Sequence, residues 1–305
     1  MDLGVRKIRG ILKSKATIEG AGVHLKRAFG FYQVPKLDPF LLLDDFHSAN
    51  PDDYVKGFPW HPHRGIETIT YVLYGEVAHG DSMGNAGVIR SGDVQWMTAG
   101  SGIIHQEMPK GDKSGSMWGF QLWANLPASH KMMAPRYREV KNAQIPEVMG
   151  EGGAKMKIIC GEVGGVKGPI SDIVTNPEYL DVKVPACSTF LHEVKPGRTV
   201  FAYVIEGKGY FDQERDSYAY EVDGANYFDF TRDCLIGPES LVTFGDGDRL
   251  SITTTSEAVR CLLVSGDPIR EPVAWYGPIV MNSQDELRVA FQEYQNGTFI
   301  KHAKV

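Results

Sequence analysis

Polar and apolar positions alternate in short runs along most of the chain, and the period is that of strands rather than helices. Runs of β-branched, aromatic and aliphatic residues fall at positions 40–43, 66–73, 94–97, 117–126, 156–160, 200–205 and 261–264, with turn-forming residues between them. This recurrence predicts an all-β chain built as sandwiches or barrels. One segment breaks the pattern. Ser283 and Glu286 have capping-box spacing, Leu287, Ala290, Phe291 and Tyr294 form an i, i+3, i+4, i+7 stripe, and Gly297 follows. Together they predict one amphipathic helix near the C-terminus, whose apolar stripe is expected to bridge onto the other half of the chain or to seal the end of a sheet.

An internal repeat organises the strands. Gly65, Tyr71 and Gly75 recur at the same offsets as Gly197, Tyr203 and Gly207, each set placing a strand between two glycine turns. The chain has 305 residues, about twice a common domain, so the repeat predicts two barrels. The glycine and proline cluster at 142–153 marks the seam, giving an N-terminal domain over 1–145 and a C-terminal domain over 146–305 that carries the helix. Glycine, at 34 residues, exceeds the usual share of about 7% and agrees with many tight turns.

The formal charge of -6 gives no footprint for direct nucleic-acid binding. The first 30 residues are locally basic, through Arg6, Lys7, Arg9, Lys13, Lys15, Lys26 and Arg27, which reads as a solvated face. No stretch approaches the ~20 apolar residues of a membrane span, and no export signal opens the chain. Cys160, Cys187, Cys234 and Cys261 form no CxxC pair and read as reduced, buried cytoplasmic thiols.

Two short pairs carry the chemistry. His61 and His63 flank Pro62, and 42 residues after His63 come His105 and Glu107. Residues i and i+2 of a strand share a face, so each pair presents both side chains to one side. If the two strands adjoin, three imidazoles and a carboxylate converge as a metal site. Such a set suits manganese, iron, nickel, copper or zinc and leaves positions open for water, dioxygen or substrate. Glu67 has the strand parity of His61 and His63 and is the alternative carboxylate, although a bulge at Arg64-Gly65 would spoil that parity. His79 is a further candidate. In the second copy of the repeat Glu193, Lys195 and Thr199 stand where His61, His63 and Glu67 stand in the first. A lysine opposes a cation, so the second barrel is expected to lack the metal, with His192 one residue off the face. Trp60, Trp96, Trp118 and Trp123 are read first as core, and secondly as walls of a pocket for a planar substrate.

The run His61-Pro-His-Arg-Gly-Ile-Glu-Thr-Ile-Thr-Tyr-Val-Leu, with Gly92-Asp-Val-Gln-Trp-Met-Thr-Ala-Gly, His105-x-Glu107-Met-Pro and Gln121-Leu-Trp-Ala-Asn-Leu-Pro127, resembles the pirin family of the cupin superfamily. The resemblance continues through Glu271-Pro-Val-Ala-Trp-Tyr-Gly-Pro278 and Val280-Met-Asn282. It implies a bicupin of two jelly-roll β-barrels. The N-terminal one would hold a mononuclear metal, usually Fe(II), on His61, His63, His105 and Glu107. It also implies quercetin 2,3-dioxygenase activity on a flavonol or related enolisable aromatic, with dioxygen as co-substrate and Glu107 as the base. The alternative is a redox-sensing module that binds a protein partner without turnover, as eukaryotic pirins act as nuclear cofactors of transcription regulators. Trp60 departs from the acidic residue that usually precedes the HPH motif in that family.

Overall fold

The repeated strands are the centres of two separate sheet systems. They are described here from a computed structural model that covers residues 4–224 and 233–302. In the first copy, Ile66–Tyr74 lies third in a seven-stranded sheet ordered Arg136–Val140, Val94–Thr98, Ile66–Tyr74, Met117–Asn125, Phe40–Ser48, Val23–Phe29, Lys15–Glu19. A four-stranded sheet, Phe58–His63, Ile103–Lys110, Glu76–Asp81, Ala86–Arg90, faces it. Val72 and Phe46 of the larger sheet pack with Val77 and Ile89 of the smaller one in a single core. This is the double-sheet arrangement of a jelly roll.

In the second copy, Thr199–Tyr210 pairs with the long Arg249–Gly266 strand, which also pairs with Glu178–Val184 near one end and Thr189–Glu193 near the other. That switch of partners wraps the strands around a core that includes Ile158, Leu180, Phe190, Val204, Ile252 and Leu263. Tyr71 and Tyr203, equivalent in the repeat, are both fully buried.

The chain path differs from a division at 145/146. One compact unit holds Met1–Ser14 with Ile145–Pro268, and the other holds Lys15–Gln144 with Ile269–Val305. The seam itself falls where glycine and proline cluster, but the two termini belong to the opposite unit from the one their position suggests. The reason is visible in their side chains. Ile8 and Ile11 enter the core of the second-half barrel, and the Ile8–Lys13 strand pairs with Ser240–Phe244. Arg6 is 1% exposed and donates to the carbonyls of Lys195, Arg198 and Gly245. It is a clamp within that unit, not part of a solvated basic face. Arg27, of the same basic run, lies in the other unit and is paired with Asp44 and Glu19.

The α-helix Gln284–Gln295 begins with the capping box of Ser283 and Glu286. Its buried Leu287 and Ala290 join a cluster with Ala274, Ile279, Met281 and Phe299, within the unit that holds Lys15–Gln144. Among the described residues the other helices are short 3-10 turns. Cys160 and Cys261 are buried, whereas Cys187 is exposed and Cys234 half-buried, so only two of the four thiols are core residues.

Candidate metal centre

Proline is tolerated inside the Phe58–His63 strand because that strand is an edge of its sheet and Pro62 need not donate to a second neighbour. His61 stands directly opposite His105 on the adjoining Ile103–Lys110 strand. The i, i+2 alternation then brings His63 to the same side. The Nε2 atoms of His61 and His63 are 3.0 Å apart, as are those of His61 and His105, and the three ligating atoms all lie within 4.8 Å of one another.

The tautomers decide what that closeness means. His61 Nδ1 is 2.8 Å from the Pro59 carbonyl and His63 Nδ1 is 3.0 Å from the Pro278 carbonyl. A carbonyl only accepts, so both Nδ1 atoms carry the proton and both Nε2 atoms present lone pairs to each other. Burial holds both imidazoles below the ordinary histidine value, against protonation that would relieve the contact. Nitrogens about 2.1 Å from an ion at neighbouring octahedral positions would be about 3.0 Å apart. The donors present therefore fit a borderline divalent cation. The carbonyls behind His61 and His63 fix which nitrogen faces it.

Glu107 follows His105 by two residues across a bulge in the pairing and lines the same cavity as His61 and His63. Its carboxyl is held from both sides: the Thr70 hydroxyl lies 2.8 Å from one oxygen and Gln121 Nε2 donates to the other at 3.0 Å. Burial raises it to about 7. The tight group comprises the three imidazoles, and the carboxyl is turned to Thr70 and Gln121. Glu67 is on the other face of the larger sheet, where it accepts from Thr98 at 2.6 Å. Gly65, at φ 77°, turns the chain between the two strands and resets their parity. His79 stands across from Glu107 but hydrogen-bonds to the Tyr137 hydroxyl, which Gln95 also contacts. In the second barrel His192 is buried and Glu193 exposed, the reverse of the expected facing, and His192 is paired with Glu178 at 2.7 Å.

A cavity of about 610 Å³ opens onto His61, His63 and Glu107. Of the four tryptophans considered from sequence, only Trp123 lines it, its ring centroid 5.0 Å from that of His63. Trp60 is 53% exposed, Trp96 is fully buried, and Trp118 donates to Asp45. Trp275, missed in that reading, stands 6.0 Å from Trp123 on the Ala274–Tyr276 strand and completes the aromatic wall. The hairpin that carries Trp275 and Pro278 is tied down by the buried Lys131 side chain. Lys131 Nζ donates to the Gly65 and Val280 carbonyls and to Asn125. Arg64, in the HPHR run, donates to Ser101 and Phe299 carbonyls and meets Glu293 of the helix at 2.7 Å.

Residues 22–124 match the pirin family and residues 179–300 match the pirin C-terminal cupin domain. A pirin-like protein of Caulobacter vibrioides is 42% identical over 97% of this chain and 99% of its own length. The chain belongs to the pirin family. Another relative, a putative quercetin 2,3-dioxygenase of Pseudomonas aeruginosa, is 39% identical over 92% of this chain and 93% of its own. Among solved structures, a quercetin 2,3-dioxygenase from Acinetobacter baumannii superposes with a TM-score of 0.83 at 28% identity, covering 99% of this chain and all of that one. No helix among the described residues is long and apolar enough to cross a membrane.

Because a cation relieves the lone-pair contact only in the folded state, metal binding should stabilise this pirin-family chain. After chelation and dialysis, adding Fe(II) or Zn(II) at about 100 times its dissociation constant should contribute about 2.7 kcal/mol. That is on the order of 5–10 °C in the melting temperature of the unit that holds the histidines. His105→Ala should erase the shift, and a metal-induced shift that survives it would place the ion elsewhere.

Proposed function

We propose that the chain is a metal-dependent dioxygenase of the quercetin 2,3-dioxygenase type, acting on a flavonol or related enolisable aromatic. Fe(II) would be held by His61, His63 and His105, with Glu107 supplying the fourth donor. The observation that carries this reading is the convergence of imidazole lone pairs at the foot of an aromatic-walled cavity. The activities named for the Pseudomonas and Acinetobacter relatives support it. The ion, when bound, polarises the enolic oxygen of the substrate and offers a site for dioxygen.

The protein's own groups do the rest. Trp123 and Trp275 take the planar substrate against their faces and exclude water from it. Glu107 accepts the enol proton on a carboxylate oxygen, while Thr70 and Gln121 keep the carboxylate from swinging away. The free cysteines support a reducing, cytoplasmic setting in which Fe(II) persists.

Oxygen uptake with quercetin tests the proposal. Metal-replete protein should consume dioxygen in proportion to substrate, and Glu107→Gln should lower kcat by about 10²-fold or more. Uptake indifferent to that substitution would remove Glu107 from the proton transfer. No uptake by the metal-replete protein would overturn the dioxygenase reading itself.

A further inference from the structure

The register of the larger sheet contains a pattern that no local stretch of sequence reveals. Gln95, Thr70, Gln121, Asp44 and Arg27 stand opposite one another on five successive strands. Thr70, Gln121, Asp44 and Arg27 all line the cavity. They form a transverse row of hydrogen-bonding groups that starts at the two residues holding Glu107 and runs away from it. The rows on either side are apolar where they line the cavity: Trp123 and Leu42 on one, Phe46 and Leu25 on the other. Away from His61, His63 and Glu107, a planar ligand lying in this space meets polar groups along this line and at Glu19 beside its Arg27 end.

The far end of the row is a charged pair. Arg27 donates from Nε and Nη2 to the two oxygens of Asp44 at 2.8 and 2.7 Å, and its Nη1 lies 2.9 Å from Glu19. Asp44 is 5% exposed. Each of its carboxylate oxygens has a second lone pair, and the fork of Arg27 fixes the plane in which those lone pairs are offered. Strands are spaced by about 4.8 Å, so Asp44 is one step from Gln121 and two steps, roughly 10 Å, from Thr70. Two or three linked aromatic rings bridge a gap of that size.

We propose that Asp44, held in position by Arg27, determines the specificity of this cavity. It selects planar phenols that carry hydroxyl groups on the ring farthest from the metal-binding end. A hydroxyl there donates to the Asp44 carboxylate. A bare ring would strip water from the carboxylate and return no hydrogen bond, and sites built around a buried polar group reject such analogues strongly. The inference deepens the dioxygenase reading and rests on it for the orientation of the substrate.

Quercetin and galangin, which lacks hydroxyls on its pendant ring, separate the two claims. Binding to metal-free protein by calorimetry and kcat/KM of metal-replete protein are measured for both. Quercetin should be favoured by about 10- to 100-fold in each, and Asp44→Asn should narrow the ratio to within about 3-fold. Equal handling of the two flavonols by the wild-type protein, or an unchanged ratio in a folded Asp44→Asn protein, would overturn the selection while leaving the dioxygenase reading intact. Discrimination in binding with no oxidation of either would sustain the selection and sink that reading. Absence of both binding and oxidation would sink both. The wild-type comparison decides even where the variant does not fold.

Discussion

Replacing His61 with alanine is expected to empty the metal site and abolish oxygen uptake while leaving the fold in place. His61 is the hub of the cluster, since its Nε2 is 3.0 Å from both of the other imidazole nitrogens. Removing even a residue that only orients a ligand costs about 10- to 100-fold in metal affinity, so loss of a ligand should cost more. Metal analysis after gel filtration should fall from near one equivalent to under about a tenth. His61 is only half-buried on an edge strand, so its truncation leaves little cavity. The metal-free variant should melt within about 2 °C of metal-free wild type. A full equivalent of metal in His61→Ala would show that the ion sits elsewhere.

Gly65→Ala and Gly197→Ala should differ sharply in stability although the repeat equates the two positions. Their backbones are nearly alike, at φ 77° and 78°, so alanine pays a left-handed strain of about 1–2 kcal/mol at either. The surroundings differ. A Cβ on Gly65 would lie 1.9 Å from the Val280 carbonyl oxygen and 3.2 Å from Lys131 Nζ, whereas one on Gly197 meets nothing within 4 Å. The obstruction at Gly65 is backbone and cannot rotate away, so the strand Ile279–Met281 must move. Gly197→Ala should therefore cost about 1 kcal/mol and Gly65→Ala on the order of 4 kcal/mol. Gly65→Ala should also load less metal, because that strand directly follows Pro278, whose carbonyl fixes the His63 tautomer. Thermal melts of the two variants side by side settle the matter; equal losses would mean that the Val280 contact does not constrain Gly65.

The parts of this molecule legible in the sequence are those that depend on one strand at a time. Period-2 alternation put His61 with His63 and His105 with Glu107, and the capping box located the helix. Glu67 shows where that reasoning stops, because a single left-handed glycine separates two strands and resets which residues share a face. His192 shows the same limit in the second barrel, where aligning the copies by their glycines places it one residue from its true facing. The Pro278 carbonyl and Trp275 were out of reach for another reason. They come from a segment more than 200 residues away in sequence from His63, and a carbonyl leaves no mark in residue type. The row from Thr70 to Arg27 depends on register across four strands, which no local pattern encodes.

The exchange of chain ends between the two units also bears on how the protein is made. Synthesis proceeds from the N-terminus at about 5–20 residues per second, and the three histidines emerge early. The hairpin that supplies Pro278 and Trp275, and the helix that meets Arg64, come only with Ile269–Val305. Conversely, the strand Ile8–Lys13 has no sheet partner until Glu221–Val222 and Ser240–Phe244 have been made. Neither barrel can close before segments from both halves of the sequence have been made, so a metal ion would be taken up only once Ile269–Val305 has emerged, and a ribosome stalled past the seam would expose histidines without the carbonyl that aims one of them.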